Sequence, residues 1–278
     1  MILLDGNTTS RKILDSLKIK IEQSKIKPVL DIILVGDDPA SVKYVELKNK
    51  RANEIGISGQ IHHLPVNSST QDVIDLVKKL NQDTNITGFM VQLPLPKNID
   101  TQTILMAIDP IKDADGLSPV NLGLLFQKKS IGIAPATALG IIKLLEEYQI
   151  DSDGKNIVII GRSTEVSLPL FALFMARNGT VTVCHSHTQN LSNICQNADI
   201  LVSAVGKSGF IGPEFIKPNA VLIDVGFATD PITGKVSGDF DFEKVKNIAS
   251  FITPVPGGVG PMTIASLLSN TVSIIENK

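Results

Sequence analysis

Apolar and polar positions follow two different periods along this chain, and the periods take turns. Over residues 10–22 the apolar positions Ile13, Leu14, Leu17 and Ile21 recur at helical spacing, and over 29–35 a mostly apolar run ends at Gly36-Asp37-Asp38-Pro39, as a buried strand would. The same reading predicts a helix over 41–54, a short strand near 60–64, a helix over 70–80 and a strand over 88–93. After 117–121 the pattern restarts. A helix over 137–148 precedes four short strands at 157–160, 180–183, 200–203 and 221–225, with helix-like segments or short connections between them. Strands that alternate with helices predict parallel sheet covered by helices, the α/β class. No repeat or low-complexity tract interrupts the pattern, which predicts one α/β domain before about residue 119 and a second after it.

Composition narrows the function classes. The 278 residues can fill two cores of ordinary size. A formal charge of −2 with 43% hydrophobic residues lacks the basic surplus that phosphate backbones attract, so nucleic acid is not an expected partner. Cys184 and Cys195 match no zinc or redox spacing and are expected as buried free thiols in a reducing compartment, with no metal site. Residues 1–7 carry no basic region and no apolar stretch of signal-peptide length, and nowhere do about 18 apolar residues run together. The expectation is a cytoplasmic protein without a membrane partner.

Candidate chemistry clusters in five places. Three prolines and three glycines fall within residues 253–263, a density incompatible with helix or ordinary strand. Such a segment is either a tight turn before the apolar helix that follows or a rigid wall on which a flat ring could rest. The run 156–160 leads into Gly161-Arg162-Ser163 and a helix-like stretch from Leu168, where a mononucleotide fold binds phosphate. The full Gly-x-Gly-x-x-Gly fingerprint is absent. The next strand ends Val183-Cys184-His185-Ser186 without the acid that holds the ribose hydroxyls of NAD, so Arg162 and Ser186 favour NADP, unless both are merely solvated loop residues. On the helix 41–54, Val42, Val45, Ala52 and Ile55 share one arc with Tyr44 and Lys48, while Lys43, Glu46, Lys50 and Glu54 take the other. Lys50 has Glu46 and Glu54 at i±4. Lys48 has no such carboxylate; beside the apolar arc and with Arg51 at i+3, its charged form should be disfavoured, as a proton-transfer lysine requires. A lysine snorkelling at a core edge is the plainer reading. Gln92 closes an apolar strand, and Asp113 and Asp115 form either a simple Asp-Gly turn or a carboxylate for an amino-pyrimidine edge.

Taken together, Tyr44-x-x-x-Lys48, Val91-Gln-Leu-Pro-Leu-Pro96, Lys112-Asp-Ala-Asp-Gly-Leu117, Gly161-Arg-Ser163 and the 253–263 segment resemble the methylenetetrahydrofolate dehydrogenase/cyclohydrolase family, over essentially the whole chain. The resemblance implies a folate-binding catalytic domain from residues 1–118 plus 262–278, the C-terminal helix packing back on it, and a Rossmann-like NADP domain over 119–261. It implies a homodimer, folate as substrate and NADP as cofactor. Lys48 would manage proton transfer in the hydrolytic step, with Tyr44 and Gln92 positioning it. Asp115 would take the pterin amino edge, and Pro254, Gly257, Gly258 and Pro261 the folate ring. Gly161, Arg162, Ser163 and Ser186 would contact NADP, with Thr263 a weaker candidate. The chain departs from the family pattern at Pro135-Ala136-Thr137-Ala138, Glu165 and Ser167. Those positions border the cofactor and spare Lys48, so hydrolysis is expected to be retained more securely than hydride transfer. A cyclohydrolase with little use of NADP and a non-catalytic folate or nucleotide binder are the competing readings.

Overall fold

The computed structural model describes residues 1–127, 133–229 and 236–276. The chain divides into two compact units, Lys12–Ala136 with Ile264–Lys278, and Met1–Arg11 with Thr137–Thr263.

The first of these is built on a parallel sheet in the order Ile61–Leu64, Leu30–Val35, Gly88–Val91. Every residue of Leu30–Val35 is buried, because this central strand is covered on both faces. Alternation sorts its side chains: Ile32 and Leu34 enter a core with Leu17, Val45, Leu268 and Val272, while Ile33 and Val35 meet Val73, Val77 and Phe89 on the opposite face. The former core contains residues of the C-terminal helix Val259–Glu276, which therefore packs beside the helix Pro39–Glu54. Two helices without a strong apolar period, Thr101–Ala107 and Pro119–Phe126, complete the unit; Asp100 and Ser118 cap their N-termini.

In the other unit six parallel strands are ordered Ile2–Leu3, Phe251–Ile252, Val221–Asp224, Ile200–Ser203, Asn156–Ile160, Thr180–Cys184. The four strands read from sequence occupy one side of this order. The other two strands are two residues long, too short for any hydrophobic period to register. Chain order reverses at Asn156–Ile160, whose successor Thr180–Cys184 lies on one side and Ile200–Ser203 on the other. Such a switch point opens a crevice at the carboxyl ends of the strands. The pairing of Ile2–Leu3 draws the N-terminal residues into this unit, and the division between the units falls at Ala136/Thr137.

Candidate active site

Asp38 starts the helix Pro39–Glu54, its carboxylate accepting from the Ser41 N–H at 2.9 Å. The cap fixes the phase of the helix and turns Ser41, Val45, Lys48 and Ala52 inward. Lys48 is 4% exposed, so its ammonium does not snorkel. Its Nζ donates to Gln92 Oε1 at 2.9 Å, lies 3.4 Å from Met90 Sδ and sits 4.8 Å from the centroid of the Tyr44 ring. Gln92 is held at the end of the strand Gly88–Val91 by its own N–H, which donates to the Ile33 carbonyl at 2.8 Å. Its Nε2 donates to the Leu93 carbonyl at 2.5 Å, which leaves Oε1 aimed at the lysine. Burial pushes the Lys48 ammonium down to about 8, against the opposing pull of the Asp115 carboxylate.

Arg51 is not the cause of that depression. Its guanidinium is exposed and paired with Glu54 at 2.7 Å, and Glu54, expected beside Lys50, is taken by that pair. Met90 escaped the sequence reading, although it stands two residues before Gln92 and so on the same face of an extended chain.

The two aspartates of the 112–117 segment have separate jobs. Asp113 is 1% exposed, and its carboxylate accepts from the Gly116 N–H at 2.9 Å, the Ser118 N–H at 2.7 Å and Asn121 Nδ2 at 3.0 Å. It is the turn-former. Asp115 is partly exposed and acts electrostatically on Lys48.

In the 253–263 segment, a turn over residues 255–257 leads into the helix Val259–Glu276, with Pro261 in its first turn. Gly257 has φ +109, and a Cβ there would stand 2.7 Å from Asn7 Nδ2; a Cβ on Gly258 would stand 2.7 Å from the Pro254 carbonyl oxygen. The space that these glycines leave open is filled by the protein itself. Close packing on residues 7 and 254 explains why these two positions are glycine. Pro254 and Pro261 remain half-buried.

At the switch point the paired strand ends Ile160 and Cys184 are followed by the two loops that carry the remaining candidates. Arg162 stands two residues beyond Ile160 and Ser186 two residues beyond Cys184, both exposed at the same edge of the sheet. Gly161 has φ +133 and its N–H donates to the Cys184 carbonyl at 2.9 Å. Ser163 turns inward: its Oγ accepts from the Val166 N–H at 3.2 Å and the Ser167 N–H at 3.4 Å, occupying amides at the start of the helix Ser167–Ala176. Ser167 Oγ is buried with no hydrogen-bond partner. Thr263 Oγ1 lies 3.2 Å from Thr137 Oγ1 within the same unit. Among the described residues no group of three metal-ligating side chains gathers, and no helix is long and apolar enough to cross a membrane.

Two family models match. One described as the catalytic domain of tetrahydrofolate dehydrogenase/cyclohydrolase covers residues 4–115, and one described as the NAD(P)-binding domain of the same enzyme covers residues 135–278. A relative from Methanoculleus marisnigri, the bifunctional protein FolD, is 47% identical over 270 residues, which are 97% of this chain and 95% of that one. The crystal structure of a bifunctional FolD methylenetetrahydrofolate dehydrogenase/cyclohydrolase from Campylobacter jejuni is similar at a TM-score of 0.97 and 42% identity, covering 100% of this chain and 99% of that one. The Trypanosoma brucei methylenetetrahydrofolate dehydrogenase-cyclohydrolase, complexed with NADP and an inhibitor, is similar at a TM-score of 0.95 and 35% identity, covering 100% and 98%.

Proposed function

Because the chain belongs to the tetrahydrofolate dehydrogenase/cyclohydrolase family, we propose how its own residues divide that family's two reactions. The protein is a bifunctional enzyme. It oxidises 5,10-methylenetetrahydrofolate to the 5,10-methenyl cation with NADP and hydrolyses the cation to 10-formyltetrahydrofolate.

The observation that carries the residue assignment is the buried Lys48 amine, hydrogen-bonded to Gln92 and lowered to about 8. A neutral amine can take a proton from water, and a cationic substrate beside it favours the neutral form further. In the hydrolytic step the water oxygen bonds to the methenyl carbon while Lys48 accepts its proton. The C–N5 bond then breaks, N5 is protonated by the Lys48 ammonium, and the second water proton leaves to solvent. Gln92 Oε1 holds one amine hydrogen and so aims the nitrogen lone pair; the Tyr44 ring covers the site beside the amine. Asp115 accepts from the amino edge of the pterin, a role closed to Asp113, whose oxygens are engaged by its own loop. The turn 254–261 is assigned to the folate ring, with Pro254 and Pro261 as its contact surface and Gly257 and Gly258 as what lets it pack.

NADP supplies the hydride acceptor when bound. The donor set at the switch point fits it: an exposed guanidinium and an exposed hydroxyl end two paired strands, and residues 185–188 after the second strand include no acid to repel a 2′-phosphate. Arg162 and Ser186 are assigned to that phosphate, and Gly161 and Ser163 to the shape of the loop beneath it. One observation favours an enzyme biased toward hydrolysis: Ser163 already occupies two of the amides that a pyrophosphate would take. The buried free thiols Cys184 and Cys195 suit the cytoplasm, and the family likeness suggests a homodimer that supplies formyl groups for purine biosynthesis.

An absorbance assay with methylenetetrahydrofolate and NADP tests the whole reading. Wild type should form reduced NADP with little methenyl product, whereas Lys48→Ala should reduce NADP and accumulate the methenyl cation. No reduction with either NADP or NAD would remove the dehydrogenase half, and full hydrolysis by Lys48→Ala would remove the assigned role of the lysine.

A further inference from the structure

Two buried aspartates outside the assigned chemistry interlock at the carboxyl edge of the six-stranded sheet. Asp224 ends its strand, and its carboxylate accepts from the Gly226 N–H at 3.0 Å, the Asp239 N–H at 2.9 Å and the Phe240 N–H at 3.0 Å. Asp239, 0% exposed, turns its own carboxylate the other way. It accepts from Ser203 Oγ at 2.8 Å, the Val205 N–H at 2.8 Å and the Lys207 N–H at 2.7 Å. The fit leaves no slack, since a Cβ on Gly226 would overlap the Asp239 carboxylate and one on Gly238 the Asp224 carboxylate. Burial raises the Asp224 carboxyl to about 7, with the Phe240 and Asp239 amides pulling against that rise. Two buried acids are a costly way to close a loop, which directs attention to what the loop does.

The residues that Asp239 holds follow the strand Ile200–Ser203, and this strand pairs with Asn156–Ile160 across the switch point, Ile160 opposite Ser203. The Ala204 N–H donates to the Ile160 carbonyl at 2.9 Å, and a Cβ on Gly161 would stand 2.9 Å from the Ala204 carbonyl oxygen. Residues 204–207 therefore form one wall of the crevice, and the loop from Gly161 forms the other. The clasp also reaches the 253–263 segment, because the Asp224 N–H donates to Thr253 Oγ1 at 2.7 Å.

We propose that Asp239 is a positioning residue for the pyridine dinucleotide phosphate: through the amides of Val205 and Lys207 it fixes the crevice wall opposite Gly161, and Asp224 fixes Asp239. The proposal rests on the assignment of this unit to NADP. It predicts that loosening the clasp weakens cofactor binding while sparing hydrolysis, which uses the other unit's lysine.

The test uses full-length Asp239→Asn. The amide keeps the size of the side chain but offers a donor where the Val205 or Lys207 N–H points. The Kd and KM for NADP should rise about tenfold or more, as loss of charge-assisted hydrogen bonds predicts, with a much smaller fall in kcat at saturating NADP and with hydrolysis of methenyltetrahydrofolate near wild type. Unchanged NADP affinity in the folded variant overturns the proposal, as does an equal loss of NADP affinity and hydrolysis, the mark of a merely structural role. Should Asp239→Asn fail to fold, Ser203→Ala removes one donor from the same carboxylate. A rise of about threefold in the NADP KM with intact hydrolysis then supports the proposal, and no rise overturns it. Wild type that binds no NADP would sink the functional assignment itself, and the proposal with it.

Discussion

Lys48→Met should make the protein more stable at neutral pH while removing its hydrolytic chemistry. The lysine is 4% exposed and its ammonium falls from 10.5 to about 8 on folding, so near pH 7 the folded state carries a buried charge at a cost of about 3 kcal/mol. Methionine fills nearly the same volume without the charge. The substitution also strips Gln92 Oε1 of its donor, at about 1–2 kcal/mol, which leaves a net gain of about 1–2 kcal/mol at pH 7. The sign with pH follows from linkage. A folded pKa below the unfolded one means that the unfolded chain binds the extra proton between about 8 and 10.5, so the wild-type penalty is full below 8 and fades as pH rises toward 10.5. At pH 10 only about 1 kcal/mol of it remains, and the advantage of the variant should vanish or reverse. Urea unfolding of both proteins at pH 7 and pH 10, followed by far-ultraviolet circular dichroism through the transition of the unit that holds the residue, measures the difference directly. A variant that is less stable than wild type at pH 7, or an advantage that stays constant with pH, would refute the reasoning.

Asp113→Asn and Asp115→Asn should separate cleanly. The first breaks a buried carboxylate that accepts from Gly116, Ser118 and Asn121 and should cost about 2–3 kcal/mol in thermal or urea unfolding; the second removes the pull on Lys48, should cost less than the first in unfolding and should raise the folate KM about tenfold, and the reverse pattern would exchange the two roles. Ser167→Ala should stabilise the protein by about 1 kcal/mol, because the hydroxyl is buried without a partner; a fall in Tm would show that it is satisfied in solution.

The chemistry on the helix Pro39–Glu54 was legible because helical phase is a local property. Val45, Ala52 and Ile55 defined the buried arc, and Lys48 shares it whatever the rest of the chain does. The strand positions 30–35 and 156–160 were legible for the same reason. What failed to register depends on distant partners. Ile2–Leu3 is a strand only because Phe251–Ile252 lies beside it, and the N-terminal residues join the second unit for no reason visible in their own sequence. Nothing near Gly257 in sequence shows that its missing side chain makes room for Asn7, a pairing across some 250 residues. The Asp224–Asp239 clasp is hidden in the same way, since apart from the Gly226 N–H its donors come from residues 15 to 36 positions away.

The depressed lysine shows where local legibility ends and folding begins. The wheel gave the right direction for Lys48 and the main part of its cause, the place beside the apolar arc, but it counted Arg51 one turn away, which points to solvent and pairs with Glu54. Burial alone would leave an amine that favours the neutral form ever more strongly, and such an amine accepts a proton weakly. Asp115 opposes the burial, and the two together set Lys48 near 8. That balance suits a group that must accept a proton from water and then return it to nitrogen, since a pKa near the working pH makes both transfers accessible. The same carboxylate is assigned to the pterin edge, so substrate binding and lysine tuning meet in one residue. A pterin that neutralises or displaces the Asp115 charge would weaken its pull on Lys48 and release the lysine proton as the substrate arrives.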